Sequence, residues 1–369
     1  MKIGIDCRLW DESGIGRYIQ NLITTLNFLD TKNEYVLFLL PKDINNKKIS
    51  SRFKKVSADV RWHTLKEQFV MPKVFLRENL DILHIPYINM PLFYPKKFVA
   101  TIHDLTPIKY PTSSASKLSF PIYHLKLCFY YLTLFFGVRK AFKVIAVSES
   151  AKSDMVKFLK ISPKKVKVVY NFNVEFDGTR LPKKNRENYL LYVGNAYPHK
   201  NLPRLIKAFE IFVSKFSGEN ISPPNLLLVG KEDYFYKKLK DIVPLGIKDK
   251  VVFVGFSDVE KLERLYISAK FVVNPSLYEG FGFPLIEAFS LGTLVVCSTI
   301  PVFKEIAKSA VLYFNPLDVE DMAEKMFTAF TMSKNDYHQY VEKGYKNLSY
   351  FNPEKEVKKV LEIYKEDRL

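Results

Sequence analysis

Short apolar runs alternate along this chain with longer stretches in which apolar positions recur every third or fourth residue. The runs predict strands at Lys2–Asp6, Tyr35–Leu40, Ile82–Ile85, Val99–His103, Lys143–Val147 and Val166–Tyr170. The stretches Arg17–Leu29, Ser114–Ala141 and Glu149–Leu159 between them predict helices. The rhythm then repeats. Strands are expected at Tyr189–Val193, Leu226–Val229, Val251–Val254, Phe271–Asn274 and Leu294–Cys297. Helices are expected at Leu202–Lys215, Val259–Ser268, Pro284–Leu291, Val319–Met332 and Pro353–Lys365. Strands that are apolar throughout are buried on both faces, which marks parallel sheets covered by helices. The expected fold class is α/β, with enough alternation for two doubly wound domains.

A length of 369 residues fits two domains. The stretch 171–186 is polar and holds Gly178 and Pro182, so the expected domains are 1–173 and 174–352. The last segment, 353–369, stands apart. Its helical pattern does not choose a sheet, and packing back on the first domain is one option.

With 47% hydrophobic, 26% charged and 15% aromatic residues, the chain can bury sizeable cores. Charge changes the picture more. The net charge is +17. Residues 1–173 hold 28 Lys+Arg against 13 Asp+Glu, or +15, and residues 174–369 hold 28 against 26, or +2. The excess therefore lies in the first half. It is either a solubilising bias or a surface for an anionic membrane or acceptor.

Cys7, Cys128 and Cys297 are odd in number, far apart and without metal-ligand spacing, which predicts buried free thiols in a reducing compartment. Asp6 and Arg8 stand where a leader would carry its apolar core. No run reaches the ~20 apolar residues of a membrane span. The longest, Leu127–Val138, has twelve residues between Lys126 and Arg139-Lys140. A secreted disulfide scaffold and an integral membrane protein are disfavoured, and a cytoplasmic location is expected.

Ligands of doubly wound sheets bind beyond the carboxyl ends of the strands, so the loops there carry the candidate chemistry. After the first strand comes Cys7–Ile15, ending with Gly14, Gly16 and Arg17 at a helix start. Such glycines let backbone N–H groups approach a phosphate. The third glycine of a dinucleotide fingerprint is missing, because Ile19 occupies its place, and a tight turn explains the pair equally well. After another strand stands His103-Asp104-Leu105. His103 could donate to a sugar hydroxyl. Alternatively it is satisfied by local backbone, with Asp104 capping a turn.

The most informative stretch is Asn274–Gly292. Glu279, Gly280, Phe281, Gly282 and Phe283 form a loop rich in backbone donors, and Pro284 fits the first turn of the helix that follows. Glu279 is expected at the mouth of the loop and Glu287 in the first helical turn. Two carboxylates can each accept from a diol, and glycine N–H groups with a helix N-terminus suit a pyrophosphate. A further strand leads into Gly194-Asn195-Ala196-Tyr197-Pro198-His199-Lys200, where Lys200 is expected to reach a phosphate as a mobile point charge.

Together these residues resemble glycosyltransferase family 4, whose fold is GT-B. The resemblance runs in order through GIGRYIQNL, HDL, VIAVSESAKSDM, YVGNAYPHKNL, LLLVG, VVFVGF, NPSLYEGFGFPLIEAFSLG and YFNPLD. Its most specific part is the pair of glutamates eight residues apart, Glu279 and Glu287. It implies two Rossmann-like domains facing a central cleft, the first for the acceptor and the second for a nucleotide sugar. It implies retaining transfer from a UDP- or GDP-sugar to a hydroxyl of a saccharide or lipid-linked acceptor, in cell-surface polysaccharide or glycolipid assembly. By the same resemblance Glu279 contacts the donor sugar, Glu287 the ribose, and Gly280 to Leu285 the sugar and phosphates. Lys200 contacts the phosphates, His103 the reacting sugar, and Gly14 and Gly16 the diphosphate and acceptor.

The chain departs from the family pattern where Asn195 replaces an Arg that usually pairs with the Lys, with His199 beside Lys200. Arg17 is the candidate to supply that charge. The family's Asn-Gly after the last strand of the first domain is Asn171-Phe172 here. No Asp-x-Asp motif occurs, so no metal and no other cofactor is expected. The leaving diphosphate would be met by Lys200, backbone N–H groups and a helix N-terminus.

Two other classes stay in view: a glycoside phosphorylase or nucleotide-sugar hydrolase on the same fold, and a non-catalytic basic protein binding membrane or nucleic acid. The second leaves the Glu279–Glu287 loop unexplained, and no nucleic-acid-binding motif is present. The aromatic stretch within Ser116–Lys143, flanked by basic residues, reads as a helix packed on the first sheet. Its other reading is peripheral contact with an anionic inner membrane face.

Overall fold

The computed structural model describes residues 1–111, 120–172, 186–218 and 221–366. The chain divides into two compact units. One takes Met1–Lys109, Ser116–Phe172 and Phe351–Leu369, and the other takes Tyr110–Ala115 and Asn173–Tyr350, as far as these are described. Most of the expected boundary, residues 173–185, lies outside the described residues, as does the start of the helix expected from Ser114.

The first unit is built on seven parallel strands: β1 (Lys2–Asp6), β2 (Glu34–Leu39), β3 (Lys54–Ser57), β4 (Ile82–Ile85), β5 (Phe98–Ile102), β6 (Lys143–Ala146) and β7 (Val166–Val168). Their order is β3-β2-β1-β4-β5-β6-β7. The second unit has six: β8 (Tyr189–Val193), β9 (Asn225–Val229), β10 (Val251–Gly255), β11 (Phe271–Asn274), β12 (Val295–Ser298) and β13 (Leu312–Phe314), ordered β10-β9-β8-β11-β12-β13. The strand order reverses between β1 and β4 and again between β8 and β11. Each reversal leaves a crevice at the carboxyl ends of the two strands, where such sheets bind ligands.

Patterning explains the packing. Helix Leu202–Ser214 buries Leu202, Leu205, Ile206, Phe209 and Phe212, one face at helical spacing. That face meets Leu190, Leu226, Leu228, Phe271 and Val273 from the second sheet. Each such side chain contributes about 1.5–3 kcal/mol by leaving water. Elements the pattern missed are β3 and β13, both edge strands, and the helices Leu65–Leu76, Tyr234–Asp241, Pro301–Ala307 and Lys334–Leu348. Pro72 lies inside the first of these helices, and the last is mostly polar.

The terminal helix Pro353–Lys365 packs on helix Ser13–Leu29 of the first unit. Buried polar groups fix it there. Tyr364 Oη lies 2.6 Å from His84 Nδ1, and His84 Nε2 lies 2.8 Å from Thr101 Oγ1. Glu356, fully buried, accepts from the Tyr170 N–H at 2.8 Å. Burial drives the His84 pKa down to about 3, with nearby His103 pushing the same way, so the ring is neutral. Cys7 and Cys297 are buried as expected, but Cys128 is exposed, because helix Phe120–Lys140 turns that position outward. Among the described residues, no helix is long and apolar enough to cross a membrane.

Candidate functional site

In the second unit the loops after β8 and β11 lie side by side at the reversal and are stitched together. The Leu277 N–H donates to the His199 carbonyl at 2.7 Å. Asn201 holds a left-handed φ of 61° and donates through Nδ2 to the carbonyls of Pro275, at 3.0 Å, and Pro316, at 2.7 Å. This stitching sets Lys200 Nζ 2.7 Å from Glu279 Oε1, with both side chains largely covered. The Ser276 hydroxyl, fully buried, lies 2.7 Å from the same carboxylate oxygen and 2.8 Å from Asn274 Oδ1. Lys200 is therefore not the mobile charge expected from the sequence. It is held by the carboxylate that the sequence had placed at the neighbouring loop mouth.

The loop then turns through Gly280 and Gly282, both buried, into helix Phe283–Ser290. Gly282 has φ of 124°, and a Cβ there would stand 2.9 Å from the Phe303 ring, so only glycine fits. Pro284 lies in the first turn, as its missing N–H allows. Phe281 and Leu285 anchor the turn in the core, and Phe281 meets the half-buried Phe283 ring edge-on at 5.8 Å. The result is a buried glycine turn that leads directly into a helix N-terminus.

Glu287 departs from expectation. It lies past the first turn, which holds no acidic residue, and is only 1% exposed. Its Oε2 accepts from the Tyr266 hydroxyl at 2.6 Å. The eight-residue offset turns it inward, where it needed a partner from helix Val259–Ser268. Asn195 is half-buried. Its Oδ1 accepts from the Tyr197 N–H at 3.3 Å and its carbonyl from the Tyr192 hydroxyl at 2.7 Å. Ser276, Asn274, Asn201 and Tyr266 were not singled out from the sequence. The first two lie inside the quoted motif, and their polarity directly after a buried strand was the available signal.

The remaining candidates belong to the first unit. His103 follows β5, with Nε2 2.9 Å from the Pro86 carbonyl and its ring edge-on to Tyr18 at 5.0 Å. Asp104 accepts from the Thr106 N–H at 2.7 Å, the turn cap considered above. Burial pushes the His103 pKa down, against the Pro86 hydrogen bond and the charge of Asp104. The two glycines separate. A Cβ on Gly16 would lie 2.4 Å from the Trp10 carbonyl oxygen, whereas Gly14 has open space around it. Arg17 is half-buried in the second turn of helix Ser13–Leu29.

At the first unit's own strand reversal stands a cluster the sequence reading missed. Arg8 is enclosed by Asp6 at 2.6 Å, Glu67 at 2.5 Å and Tyr87 Oη at 2.6 Å, all buried. Burial pushes the Glu67 pKa up and the Arg8 charge opposes it. In the sequence, Asp6 and Arg8 registered only as unsuited to a leader.

Comparison with known proteins adds the family. The model for Glycosyltransferase Family 4 matches residues 13–172, and that for Glycosyl transferases group 1 matches residues 174–347. The chain is 30% identical over 285 residues to the O-antigen chain mannosyltransferase RfbU of Salmonella typhimurium strain LT2, covering 77% of this chain and 73% of that protein. It is 27% identical over 259 residues to O-antigen chain mannosyltransferase B of Escherichia coli, covering 66% of this chain and 64% of that one. The structure of Anabaena Alr3699/HepE in complex with UDP-glucose is similar in fold, with a TM-score of 0.74 at 16% identity, over 98% of both chains. With each half matched in turn and both sheets wound alike, the chain is a glycosyltransferase of GT-B fold and belongs to glycosyltransferase family 4.

Proposed function

We propose that this enzyme moves a sugar with retention from a nucleotide-sugar donor to a hydroxyl of a saccharide or lipid-linked acceptor, in cell-surface polysaccharide or glycolipid assembly. The observation that carries the reading is the covered Lys200–Glu279 pair beside the glycine turn and helix start of the second unit. A diphosphate brings charge that Lys200 and backbone N–H groups can take, and sugar hydroxyls can donate to the carboxylate released from Lys200. The O-antigen mannosyltransferase relatives support mannose and surface polysaccharide. The UDP-glucose complex of a fold neighbour supports a nucleotide sugar, so a UDP- or GDP-sugar is the expected donor.

In the proposed step the bond from C1 to the phosphate oxygen breaks and a bond from C1 to the acceptor oxygen forms on the same face. The acceptor proton passes to the departing diphosphate oxygen. Glu279 then orients and stabilises the sugar and is not a nucleophile. His103 belongs to the same proposal as the first unit's contact to the reacting sugar, with Gly14, Gly16 and Arg17 near diphosphate and acceptor. Asn195, Gly280 to Leu285 and Glu287 complete the donor contacts. No metal is required, because the leaving charge has cationic and dipolar partners in the chain. A peripheral position on an anionic membrane, through the basic first unit, belongs to this reading too.

The test is thermal unfolding with a panel of UDP-, GDP-, ADP- and TDP-sugars in EDTA and then with added Mg2+ or Mn2+. A donor at ~100 times its dissociation constant adds about 2.7 kcal/mol to stability. One nucleotide class should stand out in EDTA, and the anomeric configuration of the product should match that of the donor. An inverted product, or donor binding only with metal, rejects the proposed step.

A further inference from the structure

His103 is held on two sides within the first unit. Its Nε2 lies 2.9 Å from the Pro86 carbonyl, and a carbonyl only accepts, so that nitrogen carries the proton. Burial lowers the pKa of the ring, against the Pro86 bond and the charge of Asp104, so at neutral pH it has one N–H. Nδ1 is then the nitrogen with the lone pair. The second hold is Tyr18, whose ring stands edge-on to His103 at 5.0 Å and to His84 at 6.4 Å. His103 keeps part of its surface open, whereas Tyr18 and His84 are buried.

A row of buried polar atoms fixes Tyr18 in turn. Its Oη lies 3.1 Å from Thr101 Oγ1, which lies 2.8 Å from His84 Nε2, and His84 Nδ1 lies 2.6 Å from Tyr364 Oη. Strand alternation sets this up. Thr101 on β5 precedes His103 by two positions, and His84 on the paired strand β4 precedes Pro86 by two. Tyr18 comes from helix Ser13–Leu29 and Tyr364 from the terminal helix packed on it. Apolar residues of the same shape would fill this space with little loss of stability. What the hydrogen bonds add is orientation: they fix the Tyr18 ring, and Tyr18 with Pro86 fixes His103.

We propose that Tyr18, locked through Thr101 and His84 to Tyr364, is a positioning residue for transfer, and that the His103 it holds acts through Nδ1, accepting from a hydroxyl of the transferred sugar. This deepens the reading above and rests on it, because His103 meets the sugar only there. The sequence expectation had His103 donate to that hydroxyl. The proton it would donate is already engaged by Pro86.

The first test needs no donor. Long-range 1H–15N spectra of the histidine-labelled chain, with His103 assigned by the signal lost in His103→Gln, should show Nε2 protonated and Nδ1 bare at pH 7. The second follows turnover of GDP-mannose and of UDP-glucose as release of the nucleoside diphosphate. An Asn oxygen can stand near Nδ1 and a Gln amide near Nε2. His103→Asn should therefore stay within about tenfold of wild type in kcat, and His103→Gln should fall about a hundredfold. Tyr18→Phe and Tyr364→Phe each remove one oxygen and keep the shape. Each should lower kcat about tenfold with KM within about twofold, as misplacement of one group does. In the His103→Gln background neither should lower kcat further. A protonated Nδ1, His103→Gln outperforming His103→Asn, or Tyr18→Phe and Tyr364→Phe acting equally in both backgrounds overturns the proposal. A wild type that no donor stabilises in the thermal panel rejects the donor reading, and with it the sugar contact, while the ring spectrum still decides the lock on His103.

Discussion

The Lys200–Glu279 pair makes a prediction that ties stability to function. Replacing Glu279 by Gln keeps an amide oxygen near Ser276 and Lys200 but removes the charge. Replacing Lys200 by Met keeps the stem and removes the ammonium. At 2.7 Å two unit charges attract by about 6 kcal/mol at an effective dielectric near 20 and about 1.5 kcal/mol in bulk water. Both side chains are mostly covered, so the attraction is nearer the first figure, and desolvation cancels a large part of it. A coupling energy of about 2 kcal/mol is expected in the donor-free protein, read from urea unfolding of the wild type, the two single variants and the double variant. Saturating donor should lower the coupling below about 1 kcal/mol, because each partner then faces the ligand. The Gln variant alone should lose about 1.5–3 kcal/mol of donor or transition-state binding, the worth of a charged hydrogen bond. Coupling near zero without donor would show that the pair is not held. Coupling unchanged by donor, with wild-type affinity and rate in Glu279→Gln, would reduce the pair to a structural clamp and refute its role in transfer.

Two further outcomes follow from local geometry. Gly16→Ala must push a methyl against the Trp10 carbonyl and should cost about 1–3 kcal/mol, whereas Gly14→Ala, with open space around it, should leave unfolding within about 0.5 kcal/mol of wild type; equal costs in urea melts would contradict the packing described. His84, fully buried, stays neutral down to about pH 3 in the folded chain, but protonates near pH 6.5 when unfolded. The unfolded chain thus binds the extra proton in that window, and stability falls by up to about 1.4 kcal/mol per unit as pH drops below about 6.5; urea melts of His84→Gln should show that much less slope, and parallel curves would refute the assignment.

The fold was legible because both sheets bury their central strands on two faces. Runs such as Ile82–Ile85 and Phe271–Asn274 have no exposed position, so the apolar pattern gave their bounds as they stand. Edge strands carry no such pressure. Lys54–Ser57 pairs on one side only and tolerates two lysines, so nothing in its composition separated it from a loop. Helix Leu65–Leu76 was hidden by Pro72, which is accommodated inside it, and that omission also hid Glu67 and the buried cluster around Arg8.

The site was legible as a set of residues and not as a set of partners. Gly282 and Pro284 could be placed because each answers to its own backbone, a φ of 124° in one case and a missing donor in the other. Lys200 and Glu279 answer to each other across 79 positions of chain, and spacing has no information about such a pair. Their meeting follows from topology: β8 and β11 are neighbours because the strand order reverses there, and the loops that leave them must share one crevice. The same argument separates Glu279 from Glu287. Spacing made them look alike, yet one lies in the crevice loop and the other is buried in the helix that follows, accepting from Tyr266. A carboxylate already engaged by a buried hydroxyl is held in one orientation, so Glu287 can take up the donor contact proposed for it without giving up Tyr266. A carboxylate held by an ammonium can exchange that partner for a sugar hydroxyl while the ammonium takes a phosphate, so Glu279 is the one whose removal should register in the rate.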